Sequence, residues 1–252
     1  MTKPDTSPWE SLEPGELVTE GNRNQVWRGS INGRAVAIRR SRRSGASLDW
    51  ELNLIEYLHS EGFRVPVVVE SSDGHRHVDG LVVQRWIDGR PPQTNQDWRD
   101  VAETLQRIHE VSTDYPQRPG CCAVTELTSM SSSVDCEMST LPRDIAEEVL
   151  SVFSKVVDIP TSVIHGDPMP GNLRIGDDGV VGLLDFDESR VDVPWHDLSN
   201  LGCQVLDDQD HAKALRLSDA WEAANAWIAE PDYAQTRLNS LREGIDTSDQ
   251  LR

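Results

Sequence analysis

The chain has 252 residues, 37% hydrophobic and 27% charged, enough for one large domain or two joined lobes around a buried core, which excludes wholesale disorder. Asp and Glu number 43 against 24 Lys and Arg, a net charge of −19, so partners held through phosphates (nucleic acid or an anionic membrane surface) are not expected, and a cationic partner is favoured. The acid is uneven: residues 1–90 hold 12 basic and 13 acidic side chains, leaving 12 and 30 for residues 91–252, a net −18 in the second part.

The opening MTKPDTSPWE is polar and proline-broken, and no run approaches the roughly 18 apolar residues of a membrane span, so a soluble cytoplasmic protein is expected. The four cysteines, Cys121, Cys122, Cys136 and Cys203, form no zinc pattern and no disulfide framework.

In chain order, residues 15–40 alternate as strands do, and Asn32-Gly33 between VWRGSI and AVAIRR reads as a hairpin turn. Leu48, Leu52, Ile55 and Leu58 recur at helical spacing from Ser47 to Glu61, with Gly62 placed to end the helix. RVPVVVESS and HVDGLVVQRWIDG read as further strands, closing an N-terminal lobe over 1–90 at Pro91-Pro92. Beyond it, Val101, Leu105 and Ile108 mark one helix, Ile145, Val149, Val152 and Val156 a second, Leu217, Trp221, Ala224 and Ile228 a third, and Ala234, Leu238 and Leu241 a fourth. Trp221 and Trp227 are read as core packing, and residues 112–142 as loop or irregular structure. His75 and His77, in a predicted hairpin, are not expected to bind metal.

SVIHGDPMPGNLRIGDDGVVGLLDFDES interrupts this helical half with short strands and a proline-rich loop. Its polar clusters are His165-Gly166-Asp167, then Asn172, then Asp185-Phe186-Asp187, each on a turn framed by apolar strands, where side chains are rigidly held and accessible at their tips. Carboxylates and an amide oxygen are hard ligands suited to magnesium, and a carboxylate outside the metal shell can accept a hydroxyl proton. The set fits phosphoryl transfer.

HGDPMPGN, GLLDFDES and DVPWHDLSNL, in this order, resemble the aminoglycoside phosphotransferase and choline kinase family, relatives of protein kinases. VAETLQRIHEV and ELNLIEYLHSEGFRVP are similar to two further family segments, and the likeness covers about residues 16–245. It implies an α+β, protein-kinase-like two-lobed fold, with a small antiparallel-sheet lobe carrying one helix (1–90), a larger mostly helical lobe (91–252), and nucleotide bound between them. By the same resemblance Asp167 is the catalytic base, and His165 braces the catalytic loop with Asp197. Asn172 and Asp185 hold Mg2+ against the phosphates of ATP or GTP, with Asp187 a further candidate ligand. Gln84 to Gly89, including Trp86, form the hinge that meets the base, Glu51 positions the phosphate-binding cation, and TEGNRNQVW, with Gly21 and Asn24, covers the phosphates. Two positions depart from the family pattern. Arg39 in VAIRR stands where a lysine is usual, and Lys3, Lys155 and Lys213 are the only lysines; the phosphate loop carries a single glycine. A guanidinium is suited to phosphate but differs in geometry from an ammonium.

The expected activity is transfer of a γ-phosphoryl group to a hydroxyl of a small cationic molecule, above all an aminoglycoside or other basic antibiotic, by a monomer. Asp187, Glu188, Glu222 and Glu230 are candidate ammonium ligands. The alternatives are a metabolic kinase for choline, an amino alcohol or an amino sugar, and a catalytically weak nucleotide- or drug-binding protein. An aromatic cage for choline is not apparent: only 14 aromatic residues occur, and apart from Phe186 inside the DFD cluster Trp195 alone lies near the catalytic motifs.

Overall fold

The hairpin expected at Asn32-Gly33 forms, and both turn residues take the left-handed backbone it needs, with φ of 50° and 74°, the geometry that matches the twist of the flanking strands. The computed structural model describes residues 4–18, 25–43, 45–128, 131, 133 and 136–248, the last five by backbone alone. In chain order its elements are strands β1 (Leu12–Val18), β2 (Gln25–Ile31) and β3 (Arg34–Arg40), helix α1 (Gly45–Ser60), strand β4 (Leu81–Arg85), and helices α2 (Asn95–Val111) and α3 (Arg143–Phe153). Strands β5 (Ser162–Ile164), β6 (Leu173–Ile175), β7 (Val181–Leu183) and β8 (Arg190–Asp192) follow, then helices α4 (Trp195–Leu198), α5 (Asp208–Asn225) and α6 (Pro231–Ser248). Two compact units result, Met1–Asp97 with Asp167–Glu188, and Trp98–Gly166 with Ser189–Arg252. The grouping differs from lobes of 1–90 and 91–252, because the segment carrying Asp167 to Glu188 folds with the first unit.

In that unit β1 to β4 form one antiparallel sheet in sequence order. Alternation sends Trp27, Val36, Ile38, Leu81 and Val83 to one face, where they pack with Trp9 and Leu12. Val82 lies on the opposite face against Leu48 and Leu52 of α1. Gly62, at φ 88°, ends α1, with Phe63 N–H donating to the Leu58 carbonyl and Gly62 N–H to that of His59, both at 3.0 Å. The expected strand at RVPVVV is not a strand: it meets β4 at the bridge Val68↔Gln84, through Val69 N–H to the Val83 carbonyl and Arg85 N–H to the Val67 carbonyl, both at 2.8 Å. The β6–β7 hairpin turns at Asp178-Gly179 and is tied to the sheet unit by Leu183 N–H to the Arg64 carbonyl at 3.0 Å and by the Arg64–Asp178 ion pair.

The second unit buries Val149, Val152 and Phe153 of α3 against Leu217 and Trp221 of α5 and Leu238 and Leu241 of α6. Ile228 does not continue the α5 stripe: the helix ends at Asn225, and Ile228 is 70% exposed. β8, unforeseen in the sequence, pairs with β5 and carries Arg190, whose guanidinium lies 4.0 Å above the Trp221 ring and donates from Nε to Asp192 at 2.8 Å. Trp221 is thus core, as expected, and also a platform for a buried cation. Among the described residues of 112–142 are the 3-10 turns Val124–Glu126 and Met138–Thr140, anchored by buried Val124 and Met138. Among the described residues no helix is long and apolar enough to cross a membrane.

Candidate active site

The face of the sheet away from Trp27 lines a cleft within the first unit that opens to solvent. Val18, Val26, Ala37 and Leu184 give it apolar walls, Gln84, Trp86 and Ile87 lie along its hinge side, and Arg39, Asn172 and Asp185 supply its charge and amide groups. Trp86 is held by the Arg28 guanidinium, 4.7 Å from its ring, and by its own N–H to the Ala35 carbonyl. The N–H of Ile87 donates to no described residue. A flat base fits such a slot, with the hinge backbone as its polar edge.

Arg39 comes from the last residues of β3 and Glu51 from α1, and the two form a buried ion pair, Glu51 with no exposed surface. Arg39 is 4% exposed, yet its NH1 and Nε donate no hydrogen bond to a described residue. NH1 lies 3.6 Å from Asp185 Oδ1 and 4.0 Å from Asp187 Oδ1. Burial works to lower its pKa, but the Glu51, Asp185 and Asp187 carboxylates outweigh it and hold the guanidinium above its ordinary value. A permanently charged, half-satisfied fork therefore lines the cleft, where phosphate oxygens would complete it.

The turn Pro170–Asn172 brings Asn172 back onto Asp167: its Nδ2 donates to the Asp167 main-chain carbonyl and to Oδ2, both at 3.0 Å. With the amide nitrogen committed, the amide oxygen is the atom left to coordinate. Leu184 N–H donates to the Asn172 carbonyl at 2.8 Å, fixing Asp185 beside it. Asp185 has φ 56°, a left-handed conformation that Asp tolerates better than most residues and that is concentrated at functional positions. Asn172 and Asp185 offer hard oxygen donors, which fit a magnesium ion that takes its other ligands from phosphate and water. Among the described residues no group of three or more His, Cys, Asp or Glu is placed to hold a metal by itself.

Asp187 is nearly buried and faces guanidinium groups: Arg43 Nε is 3.6 Å from its Oδ1, and Arg43 NH2 donates to its main-chain carbonyl at 2.9 Å. Arg43 is the contributor that sequence reasoning missed; its only signal was membership of the RRSRR run. Glu188 is half-buried in the same unit. Gly21 and Asn24 lie outside the described residues.

In the second unit Asp197 is fully buried and accepts from the backbone N–H of His165 at 2.8 Å and of Gly166 at 2.9 Å, and bonds the His109 ring at 2.9 Å. Burial pushes its pKa up, but His109, His165 and the Gly166 N–H prevail and hold the carboxyl below its ordinary value. The contact of Asp197 with His165 thus includes the main chain immediately preceding Asp167. His109 was legible only as the last letter of the LQRIH helix. Glu222 lies on α5 and Glu230 just before α6, both in this second unit.

Residues 15–238 match the profile of the phosphotransferase enzyme family (APH). The homoserine kinase of Granulibacter bethesdensis is 24% identical over 248 residues, covering 91% of this chain and 70% of that protein. Among solved structures, a microcompartment-associated aminopropanol kinase superposes with a TM-score of 0.68 at 15% identity, over 98% of this chain and 97% of its own. The choline kinase LicA of Streptococcus pneumoniae gives 0.63 at 16%, over 93% and 94%. The fold is the protein-kinase-like one expected.

Proposed function

The chain belongs to the phosphotransferase enzyme family, and from that premise we propose that it transfers the γ-phosphoryl group of a nucleoside triphosphate to the hydroxyl of a small amine-bearing alcohol. The observation that carries this reading is the convergence of Asn172 and Asp185 beside the half-satisfied Arg39 fork at one cleft, with Asp167 hydrogen-bonded to Asn172. The apolar walls and hinge take the base, and Arg39, oriented by Glu51, takes the phosphates in place of lysine. Asn172 and Asp185 hold magnesium, which when bound neutralises charge on the transferring phosphates. Asp167 orients the acceptor hydroxyl and takes its proton as the new O–P bond forms and the bond to the leaving diphosphate breaks. Asp187, engaged by two arginines, serves as their counter-ion rather than as a metal or ammonium ligand.

The relatives named for homoserine, aminopropanol and choline favour a small amino alcohol. A second reading, a basic antibiotic as acceptor, is favoured by the net −18 over residues 91–252, which would concentrate a polycation. One experiment tests both: incubation with magnesium and ATP or GTP against homoserine, aminopropanol, choline and a set of aminoglycosides, with product mass and kcat/KM measured at low and high salt. Phosphorylated amino alcohol with a modest salt response supports the first reading. A phosphorylated aminoglycoside with kcat/KM falling steeply in salt supports the second. No phosphorylated hydroxyl in any reaction would defeat both.

A further inference from the structure

The run from Arg39 to Arg43 holds four arginines, and the chain sorts them: Arg40 and Arg42 are exposed, whereas Arg39 and Arg43 are buried. The connector after β3 is fixed by Ser41 N–H to the Gly80 carbonyl at 2.9 Å and by Arg43 N–H to Ser41 Oγ at 3.1 Å. A guanidinium turned inward needs a counter-charge, and Asp187 supplies one. Arg43 NH2 donates to the Asp187 main-chain carbonyl at 2.9 Å, and Nε lies 3.6 Å from Oδ1. The same Oδ1 is 4.0 Å from NH1 of Arg39. One carboxylate oxygen therefore stands between two guanidiniums, nearer to that of Arg43.

Any anion that binds Arg39 thus meets a competitor already in place. Glu51 takes NH2, while Asp185 and Asp187 both face NH1, the nitrogen that donates no hydrogen bond to a described residue. Asp185 is proposed to turn to magnesium, but Asp187 stays. If Asp187 closed the remaining gap, it would pair with NH1 and neutralise the group meant for phosphate. We infer that Arg43 is a positioning residue that holds Asp187 away from NH1 of Arg39 and so keeps this edge open to phosphate oxygens, an inference that rests on the proposal that the cleft holds a nucleotide. The bond from NH2 fixes the Asp187 main chain, and Nε draws the carboxylate to the Arg43 side. The charge of Arg43 acts in the same sense. Glu51, Asp185 and Asp187 outnumber the two guanidiniums by one, and without Arg43 that excess would double and repel a polyanion.

The test is calorimetric binding of ATP, with magnesium, to the full chain, to Arg43→Met, to Asp187→Asn and to the double variant. Arg43→Met keeps most of the stem and removes the charge, and it should weaken ATP about tenfold or more. Adding Asp187→Asn takes the charge from the competitor and should return affinity to within about threefold of the parent. Asp187→Asn alone should bind ATP more tightly than the parent, by about threefold or more. If Arg43 only braced the fold, or itself held a phosphate, the double variant would stay as weak as Arg43→Met. That result overturns the inference while leaving the nucleotide site intact, and so does an Arg43→Met that binds ATP like the parent. A parent that binds no ATP overturns the proposed function along with it. Should Arg43→Met fail to fold, Asp187→Asn alone decides: affinity equal to or below that of the parent overturns the inference.

Discussion

Asn172 holds Asp167: the amide Nδ2 donates to Oδ2 of the carboxylate over 3.0 Å, so the residue proposed as base is oriented by the residue proposed as metal ligand. The two are five positions apart, and the Pro170–Asn172 turn closes that distance. Replacing Asp167 by Asn keeps the shape of the side chain but removes its basicity. Turnover should fall about a hundredfold or more, with nucleotide affinity within about threefold of the parent. Turnover that stays within threefold would show that another group takes the proton.

Asp185 combines a left-handed backbone with a carboxylate 3.6 Å from Arg39. Asp185→Asn suits the same backbone and removes the charge, so it separates folding from metal use. Binding of nucleotide should lose its magnesium dependence, with the thermal midpoint of the free protein little changed; calorimetric titration with and without magnesium reads this. Retained magnesium dependence would remove Asp185 from the metal site.

Arg39 and Glu51 form a pair buried on both sides. Removing either alone leaves an uncompensated buried charge and should cost about 3–5 kcal/mol of stability. The double change Arg39→Met with Glu51→Leu should recover most of that stability in urea unfolding and none of the phosphoryl transfer. Arg39→Lys should keep part of both. A double variant that retained activity would place the phosphate contact on another residue.

His196 supplies a pH signature. Burial pushes its pKa down to about 4, and Arg190 pushes the same way, outweighing the opposing pull of Asp192 and Asp197. Between the ordinary value of about 6.5 and 4 the unfolded chain takes up a proton that the folded chain refuses. Stability is therefore full above about pH 6.5 and falls as pH drops towards 4, by up to about 3 kcal/mol. Urea midpoints from pH 7 to 4.5 should fall in the parent and fall less in His196→Gln; parallel slopes would assign the acid sensitivity elsewhere.

Much of the fold is written locally in this sequence. Asn32-Gly33 demands a tight hairpin, Gly62 stops α1, the 3.6-residue spacing of Leu217, Trp221 and Ala224 makes a buried helix face, and the HGD, N and DFD clusters point to the proposed chemistry through order and spacing. Each of these depends on a few neighbouring residues, so the chain itself carries it. What the tertiary structure decided concerns partners distant in sequence. It sent Asp167–Glu188 to the sheet unit, held the VPVVV run to one bridge with β4, and placed Arg43 against Asp187 across 144 positions. It also joined His109 to Asp197 and turned the Gln84 amide towards the Pro66 carbonyl. Propensity and periodicity report which face a residue shows, whereas the choice of partner for a buried charge or amide depends on where distant backbone atoms come to rest, and only packing fixes that.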